Sequence, residues 1–279
     1  MAPALPALVP LAAVLAFVFS TMAVYGARTL LVGRAHERYI EERPRSFLSK
    51  FFQEWWIRLF TPVERACLAL RITPDAITLA STAFTALAGA LLASGRLSLG
   101  GWIFLLASSL DFIDGRVARA SGQASRAGAF LDSTLDRVGE LCVLGGLAIA
   151  FRDGPVLLAC LAAAGASLLV SYARARGEAL GAGDAARVGG MQRPERVVLC
   201  GVACALSPLA AAWAGPGADR TLVAAALTLL AALTAGTAIR RTWSIYAALR
   251  RAEPRAARPP FRLAEVFRLE PGRGRRGVP

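Results

Sequence analysis

Residues Asp111–Arg137 read DFIDGRVARASGQASRAGAFLDSTLDR and lie between two long apolar runs. The stretch holds four aspartates, at positions 111, 114, 132 and 136, and glycine, alanine and arginine are set among them. Ionised side chains beside hydrocarbon are costly, and where they occur they usually have a function. The stretch therefore predicts a site at which several carboxylates converge next to apolar helices.

The whole chain is strongly apolar. It has 279 residues, 56% of them hydrophobic, and a mean hydropathy of +0.50, which is too apolar for an ordinary soluble domain of this size. The composition predicts an all-α, polytopic integral membrane protein. The net charge of +13 is explained by basic residues on the inner side of a membrane and by contact with anionic lipid headgroups, rather than by nucleic acid.

Seven membrane spans are predicted from runs that approach or exceed about 20 residues. The first is an uncleaved helix, because no positive charge precedes its apolar run as in a signal peptide. With the N-terminus outside, only Arg96, Arg152 and Arg220 of the 32 basic residues fall on the outer side. The positive-inside rule then places the aspartates on the cytoplasmic side. The predicted spans are residues 4–32, 75–95, 97–118, 128–150, 154–175, 194–214 and 220–242.

Four segments follow from this pattern. In residues 46–71 aromatic and charged residues are interleaved, which favours an amphipathic helix in the membrane interface with Trp55 and Trp56 at headgroup level; a connector packed on the protein is the alternative. The segments are 1–45, an N-terminal transmembrane helix with a basic linker; 46–72, the interfacial helix; 73–250, a six-helix transmembrane domain; and 251–279, a basic cytoplasmic tail, predicted to be disordered.

On two successive helices, the residues of the aspartate stretch fall on one face of each helix. Four carboxylates on two facing stripes repel one another unless cations neutralise them, and all-oxygen ligands favour Mg²⁺, Mn²⁺ or Ca²⁺ over zinc. Ion pairs at helix ends are the structural alternative. His36 is the single histidine, which leaves carboxylates for acid–base chemistry. One face holds Asp111, Asp114, Gly115 and Ala118 with Arg119 at its edge; the other holds Gly128, Asp132 and Asp136.

The stretch matches D-x2-D-G-x2-A-R-x8-G-x3-D-x3-D at every specified position and resembles the signature of the CDP-alcohol phosphatidyltransferases. The resemblance covers roughly residues 46–245. It implies transfer of a phosphatidyl-type group from a CDP-linked lipid, such as CDP-diacylglycerol, to an alcohol, with release of CMP, and a homodimer. By resemblance, Mg²⁺ or Mn²⁺ is bound by Asp111, Asp114, Asp132 and Asp136, of which Asp136 is also the base for the acceptor hydroxyl; CDP is bound by Asp111, Gly115, Ala118, Arg119, Gly128 and Thr78.

Residues 73–78, TPDAIT, resemble the family's T-P-N-x-x-T helix start. Asp75 occupies the position of the usual asparagine. An aspartate there is expected to cap the helix, whereas an anion beside a diphosphate is unfavourable.

Arginines near the inner end of the fifth span indicate a phosphorylated acceptor, because a phosphate needs fixed cations. The pattern resembles the branch of the family that makes phosphatidylinositol phosphate, with Gly177 in place of alanine and Gln192 in place of glutamate. Glycerol 3-phosphate is the alternative acceptor; a transporter and a non-catalytic lipid-binding protein are alternatives of other classes. The cluster is Arg174, Arg176, Arg193 and Arg196, and by position Arg176, Arg193 and Arg196 would bind the phosphate of inositol phosphate.

Overall fold

The computed structural model describes residues 5–32 and 50–253, with side chains from residue 12 onward. These ranges form nine α-helices and one short 3₁₀ helix and contain no strand, as the all-α prediction requires. The linker before residue 50 and the tail after residue 253 lie outside the described residues. The α-helices are α1 Leu5–Val32, α2 Lys50–Ala69, α3 Pro74–Ala93, α4 Leu97–Ala120, α5 Arg126–Ala150, α6 Val156–Ala179, α7 Arg193–Ala205, α8 Ser207–Ala214 and α9 Ala218–Ala252; the 3₁₀ helix is Gly183–Arg187.

Five helices of the described part are long and apolar enough to cross a membrane: α1, α3, α4, α6 and α9. The predicted span 194–214 is instead two helices, α7 and α8, which meet at a bend of 45° and make a sixth span only if they are counted together. The protein is therefore a multi-pass helical membrane protein. The span predicted for residues 194–214 is thus met only by this bent pair, and Pro208 lies in the first turn of α8, next to the bend.

Helix α5 was predicted as a membrane span, but its charged residues exclude it from the helices that are apolar enough to cross a membrane. It carries Asp132, Asp136, Arg137 and Glu140, all of them at least partly buried. Apart from Arg126 at its start, the large side chains exposed on its surface are apolar: Phe130, Val138, Leu141 and Ile149. This arrangement, with polar side chains inside and apolar ones outside, is typical of a membrane helix that faces a functional cavity. Because α5 is not among the helices apolar enough to span, its membrane span remains a prediction.

Small residues bring the helices close together. Helix α3 packs along both α4 and α5, while α6 packs along α9. A Cβ atom at Gly146 of α5 would overlap the carbonyl oxygen of Gly89 in α3, and one at Gly101 of α4 would overlap the backbone of Ala205 in α7. Backbones that approach this closely are common where membrane helices cross. These crossings position α4, α5 and α7 around one pocket.

Helix α9 is longer than predicted. The last span was expected to end at residue 242, but the helix runs without a break from Ala218 to Ala252, 35 residues in all. At 1.5 Å per residue it measures about 52 Å, against about 30 Å for the hydrocarbon core of a bilayer. Besides packing along α6, it also contacts the 3₁₀ helix Gly183–Arg187.

Helix α2 has the predicted position but a different aromatic face. Trp55 is buried, with 2% of its surface exposed, so the prediction that it lies among lipid headgroups was wrong; Trp56 is half-buried. Glu54 beside it is also buried and accepts a hydrogen bond of 2.9 Å from the Tyr25 hydroxyl of α1. Helix α2 thus links α1 to the bundle, and its placement in the membrane interface remains a prediction.

Candidate active site

Three of the four signature aspartates meet in one cluster. Asp111 and Asp114 lie on α4 and Asp132 lies on α5, and one carboxylate oxygen from each falls within 4.8 Å of the others. Helices α4 and α5 both pack more extensively along α3 than against each other. Their acidic faces therefore point towards each other without close packing between the two helices. The helical spacing predicted the convergence of all four aspartates; Asp136 is not part of this cluster, and its role as a metal ligand stays a prediction.

Hydroxyl groups from α3 orient two of these carboxylates. The Thr78 hydroxyl donates to Asp114 Oδ2 at 2.6 Å, and the Ser81 hydroxyl donates to Asp111 Oδ1 at 3.3 Å. Both hydroxyl-bearing residues are buried. Thr78 was expected to contact CDP, but in the structure its hydroxyl contacts a carboxylate. Ser81 was missed, although its position one turn after Thr78 on the same helix could have indicated it.

The cluster fits a divalent metal ion. Its donors are carboxylate oxygens, which are hard ligands that suit Mg²⁺ and Mn²⁺. The hydrogen bonds from Thr78 and Ser81 fix the orientation of the Asp114 and Asp111 carboxylates, as supporting contacts do around metal ligands. Asp111, Asp114 and Asp132 would hold the ion, and Asp136 lies one helical turn away.

Arg193 connects the aspartate cluster to Asp136. It is the first residue of α7, and its Nη1 atom contacts Asp111 Oδ2 and lies 2.6 Å from Asp136 Oδ1. Arg193 was predicted from the sequence as an acceptor ligand far from the signature, and the structure brings the two together. A phosphate bound by Arg193 would therefore lie beside Asp136.

Arg196 is buried and bound by groups of the protein itself. It is 3% exposed, and its Nε and Nη2 atoms donate to the Glu140 carboxylate at 2.6 and 3.0 Å. Its Nη1 atom donates to the Met191 carbonyl oxygen at 2.9 Å. These contacts hold α7 against α5, so a direct contact between Arg196 and the acceptor remains a prediction that the geometry does not favour. Glu140 was missed, although it continues the stripe of Asp132 and Asp136.

The remaining predicted arginine, Arg176, is exposed at the inner end of α6. Its neighbour Arg174 pairs with Glu178 at 3.2 Å, in a geometry expected of a solvated helix end. Gly177 between them is buried, and a Cβ atom there would lie 2.8 Å from Ile245 Cδ1. The glycine that departs from the family pattern therefore lets α6 pack closely on α9.

The predicted CDP face is open and lined by small residues. A Cβ atom at Gly115 would meet Arg119 Nη1 at 3.4 Å, and one at Gly128 would meet Asp75 Oδ1 at 3.5 Å. The N-cap of α3 is Thr73, whose hydroxyl accepts from the Ala76 amide, so the prediction that Asp75 caps this helix was wrong. The N-termini of α3 and α5 thus meet near this face, and helix N-termini favour phosphate groups.

Comparison with known proteins agrees with this geometry. The family model described as CDP-alcohol phosphatidyltransferase matches residues 71–248, which is more than half of the chain. The chain belongs to the CDP-alcohol phosphatidyltransferase family. The predicted class of enzyme is confirmed by this match, and the transporter and the non-catalytic lipid-binding protein lose their support.

Members of this family with known names resemble the chain over most of their length. The phosphatidylinositol phosphate synthase of Streptomyces avermitilis is 36% identical over 174 residues, which is 59% of this chain and 69% of that protein. A crystal structure of the Mycobacterium tuberculosis phosphatidylinositol phosphate synthase with CDP-DAG bound has a TM-score of 0.59 and 30% identity, and covers 68% of this chain and 94% of that one. A second structure of that protein, in complex with manganese and citrate, has a TM-score of 0.59 and 27% identity, over 67% of this chain and 88% of that one.

Proposed function

We propose that this phosphatidyltransferase transfers a phosphatidyl group from CDP-diacylglycerol to inositol phosphate and releases CMP. The observation that carries the proposal is the double contact of Arg193 with Asp111 and Asp136. It joins a phosphate-binding side chain to the aspartates of the signature. The names of the relatives and the CDP-DAG bound by the mycobacterial enzyme support the same two substrates.

The donor would lie along the face of α4. Cytidine would pack on Gly115 and Ala118, where no larger side chain intervenes, and Arg119 at the edge of this face would bind phosphate. A divalent ion, Mg²⁺ or Mn²⁺, held by Asp111, Asp114 and Asp132 would offset the negative charge that builds on the diphosphate as CMP leaves. The arrangement leaves Asp136 available for the acceptor.

Asp136 would act as the general base. It would accept the proton of the acceptor hydroxyl while that oxygen attacks the phosphorus on the lipid side of the diphosphate. The new P–O bond forms to the acceptor, the bond to the CMP oxygen breaks, and CMP leaves with its electron pair. Arg193, 2.6 Å from Asp136 Oδ1, would bind the acceptor phosphate and so position the hydroxyl near its base.

The arginines favour a phosphorylated acceptor over serine or free inositol. Arg193 lies inside the site, and Arg176 is exposed at the end of α6, the helix that packs on α9. Glycerol 3-phosphate has the same phosphate and remains the second candidate. The similarity to phosphatidylinositol phosphate synthases supports inositol phosphate as the first candidate.

The location of the active site on the cytoplasmic side belongs to the same proposal. Arg96, Arg152 and Arg220 lie at the ends of the helices opposite to the aspartates, and Arg220 donates to the Ala150 carbonyl at 2.6 Å at that end of the bundle. Basic residues are scarcest on the outer side of membrane proteins. A homodimer in the cell membrane remains a prediction from the family resemblance.

A screen of acceptors tests the proposal. Purified protein in lipid nanodiscs, given CDP-diacylglycerol and Mn²⁺ or Mg²⁺, is expected to release CMP when inositol phosphate is added. Glycerol 3-phosphate, serine and free inositol serve as comparisons in parallel reactions. Faster release with glycerol 3-phosphate would replace the proposed acceptor, and undiminished release by a folded Asp136→Asn variant would exclude Asp136 as the base.

A further inference from the structure

The segment of residues 188–192 lies between the 3₁₀ helix and α7 and ends next to Arg193. It has no regular secondary structure, so its backbone groups need hydrogen-bond partners from elsewhere. Gly190 within it has a φ of +153°, a conformation that side chains disfavour. The path of this segment decides where the Arg193 side chain enters the site.

Hydrogen bonds from three side chains of α9 hold the backbone of this segment. Arg241, which is 3% exposed, donates to the Val188 carbonyl at 2.8 Å and to the Val170 carbonyl of α6 at 2.9 Å. Arg240 donates to the Gly189 carbonyl oxygen. The Thr237 hydroxyl accepts a hydrogen bond of 3.0 Å from the Met191 amide. Helix α9 therefore binds residues 188, 189 and 191 by their backbone.

The opposite side of the same segment is held by the pair of Arg196 and Glu140. Arg196 Nη1 donates to the Met191 carbonyl at 2.9 Å while the rest of its guanidinium contacts Glu140. The Met191 residue thus has its amide fixed by α9 and its carbonyl fixed by α7. Both of these hydrogen bonds are buried.

Close packing adds to these hydrogen bonds at Gly190. A Cβ atom at Gly190 would lie 2.7 Å from Thr237 Oγ1 and 2.8 Å from Arg240 Nη2. The backbone of residues 188–192 is therefore in close contact with the side chains of α9 at Gly190. Thr237, Arg240 and Arg241 all lie within the unbroken helix α9, which runs from Ala218 to Ala252.

We propose that Thr237, Arg240 and Arg241 are positioning residues of the acceptor site. They would act through the 188–192 segment, whose path places Arg193 between Asp111 and Asp136. The inference rests on the proposed function, because the acceptor phosphate is the ligand assigned to Arg193. Loss of one of these contacts raises the KM for the phosphorylated acceptor and changes kcat and the KM for CDP-diacylglycerol much less.

Thr237→Val is the sharpest test, because valine keeps the shape of threonine and removes the acceptor of the Met191 amide. Thr234→Val is the matched control: Thr234 lies one turn earlier on α9, is 0% exposed, and its hydroxyl oxygen has no hydrogen-bond partner within the described residues. Loss of one buried hydrogen bond predicts a rise of about five-fold in acceptor KM for Thr237→Val. Thr237→Ser, which restores the hydroxyl, is expected to return KM to near the wild-type value.

Hydrogen–deuterium exchange of the purified protein, measured without substrate, gives a second reading that does not depend on turnover. Peptides covering residues 188–193 are expected to exchange faster in Thr237→Val than in wild type or Thr234→Val. Unchanged exchange, or an acceptor KM that rises equally in both valine variants, would overturn the inference. If wild type instead turns over with a different phosphorylated acceptor, the proposed acceptor fails, and the same variants are compared with the acceptor that works.

Discussion

Two parts of the site are built in different ways. The aspartates lie on continuous helices at positions set by helical periodicity, and hydroxyls of the adjacent α3 orient them. Arg193 follows an irregular segment whose backbone is held by side chains of α9, about fifty residues further along the chain. The face proposed to bind the metal therefore depends mostly on local geometry, whereas the position of Arg193, the proposed acceptor ligand, depends on contacts between residues distant in sequence. The two should respond differently to mutation.

The largest expected effect lies in the aspartate cluster. Asp114→Asn removes a charged ligand that is buried and hydrogen-bonded to Thr78, and we expect CMP release to fall by about 10²–10³-fold or more. Removal of divalent ions with a chelator should have the same effect and be reversed by added Mn²⁺. Asp153→Asn, at a side chain that is 92% exposed, is the control and should retain full activity; equal losses in both variants would contradict a local metal site.

The next largest effect is expected on stability, because the Arg196–Glu140 pair joins α7 to α5. Glu140→Ala leaves a buried guanidinium without its carboxylate, which costs about 3–5 kcal/mol in comparable buried pairs. Glu178→Ala breaks exposed pairs with Arg174 and Arg187 and should cost no more than about 1 kcal/mol. Thermal unfolding in detergent compares the two; similar melting temperatures would show that the buried pair does not hold α5 and α7 together.

Arg193 separates acceptor binding from donor binding. Arg193→Gln keeps a polar side chain but loses the charge that would bind the acceptor phosphate, and we expect the acceptor KM to rise about 10–100-fold, the range of a lost charge-assisted contact of about 1.5–3 kcal/mol. The KM for CDP-diacylglycerol should change by much less. Steady-state kinetics with each substrate varied in turn measures the split. An equal rise in both constants would place Arg193 in the donor site.

The smallest effect is predicted at Gly177, where the chain departs from its family. An added methyl group would meet the end of the Ile245 side chain and Ala186 Cβ at 3.2 Å, and Ile245 can move at little cost. Gly177→Ala should therefore change acceptor KM less than two-fold, and the cost of crowding, about 1–3 kcal/mol, should be partly offset by about 1 kcal/mol of better helix propensity. A large loss of activity would show that the close contact of α6 with α9 is needed to shape the acceptor site.

The positions of the signature aspartates could be predicted from the sequence. The spacing of Asp111, Asp114 and Asp132 predicted their convergence because an α-helix places residues three and four apart on one face. Burial of Trp55 could not be predicted in this way, since an amphipathic pattern gives the same sequence whether the aromatic face meets lipid or protein. The bend between α7 and α8 was missed because the two helices together are apolar enough for one span, although Pro208 in the sequence could have indicated a break.

The amino-acid sequence by itself determined the family, the all-helical membrane fold and the acidic face, because hydropathy and helical periodicity are local properties of the chain. The tertiary structure alone decided that Arg193 meets Asp111 and Asp136, that Arg196 supports the site through Glu140, and that α9 holds the 188–192 segment. These contacts join residues that lie far apart in sequence, and the backbone path of an irregular segment depends on the partners that satisfy its hydrogen bonds.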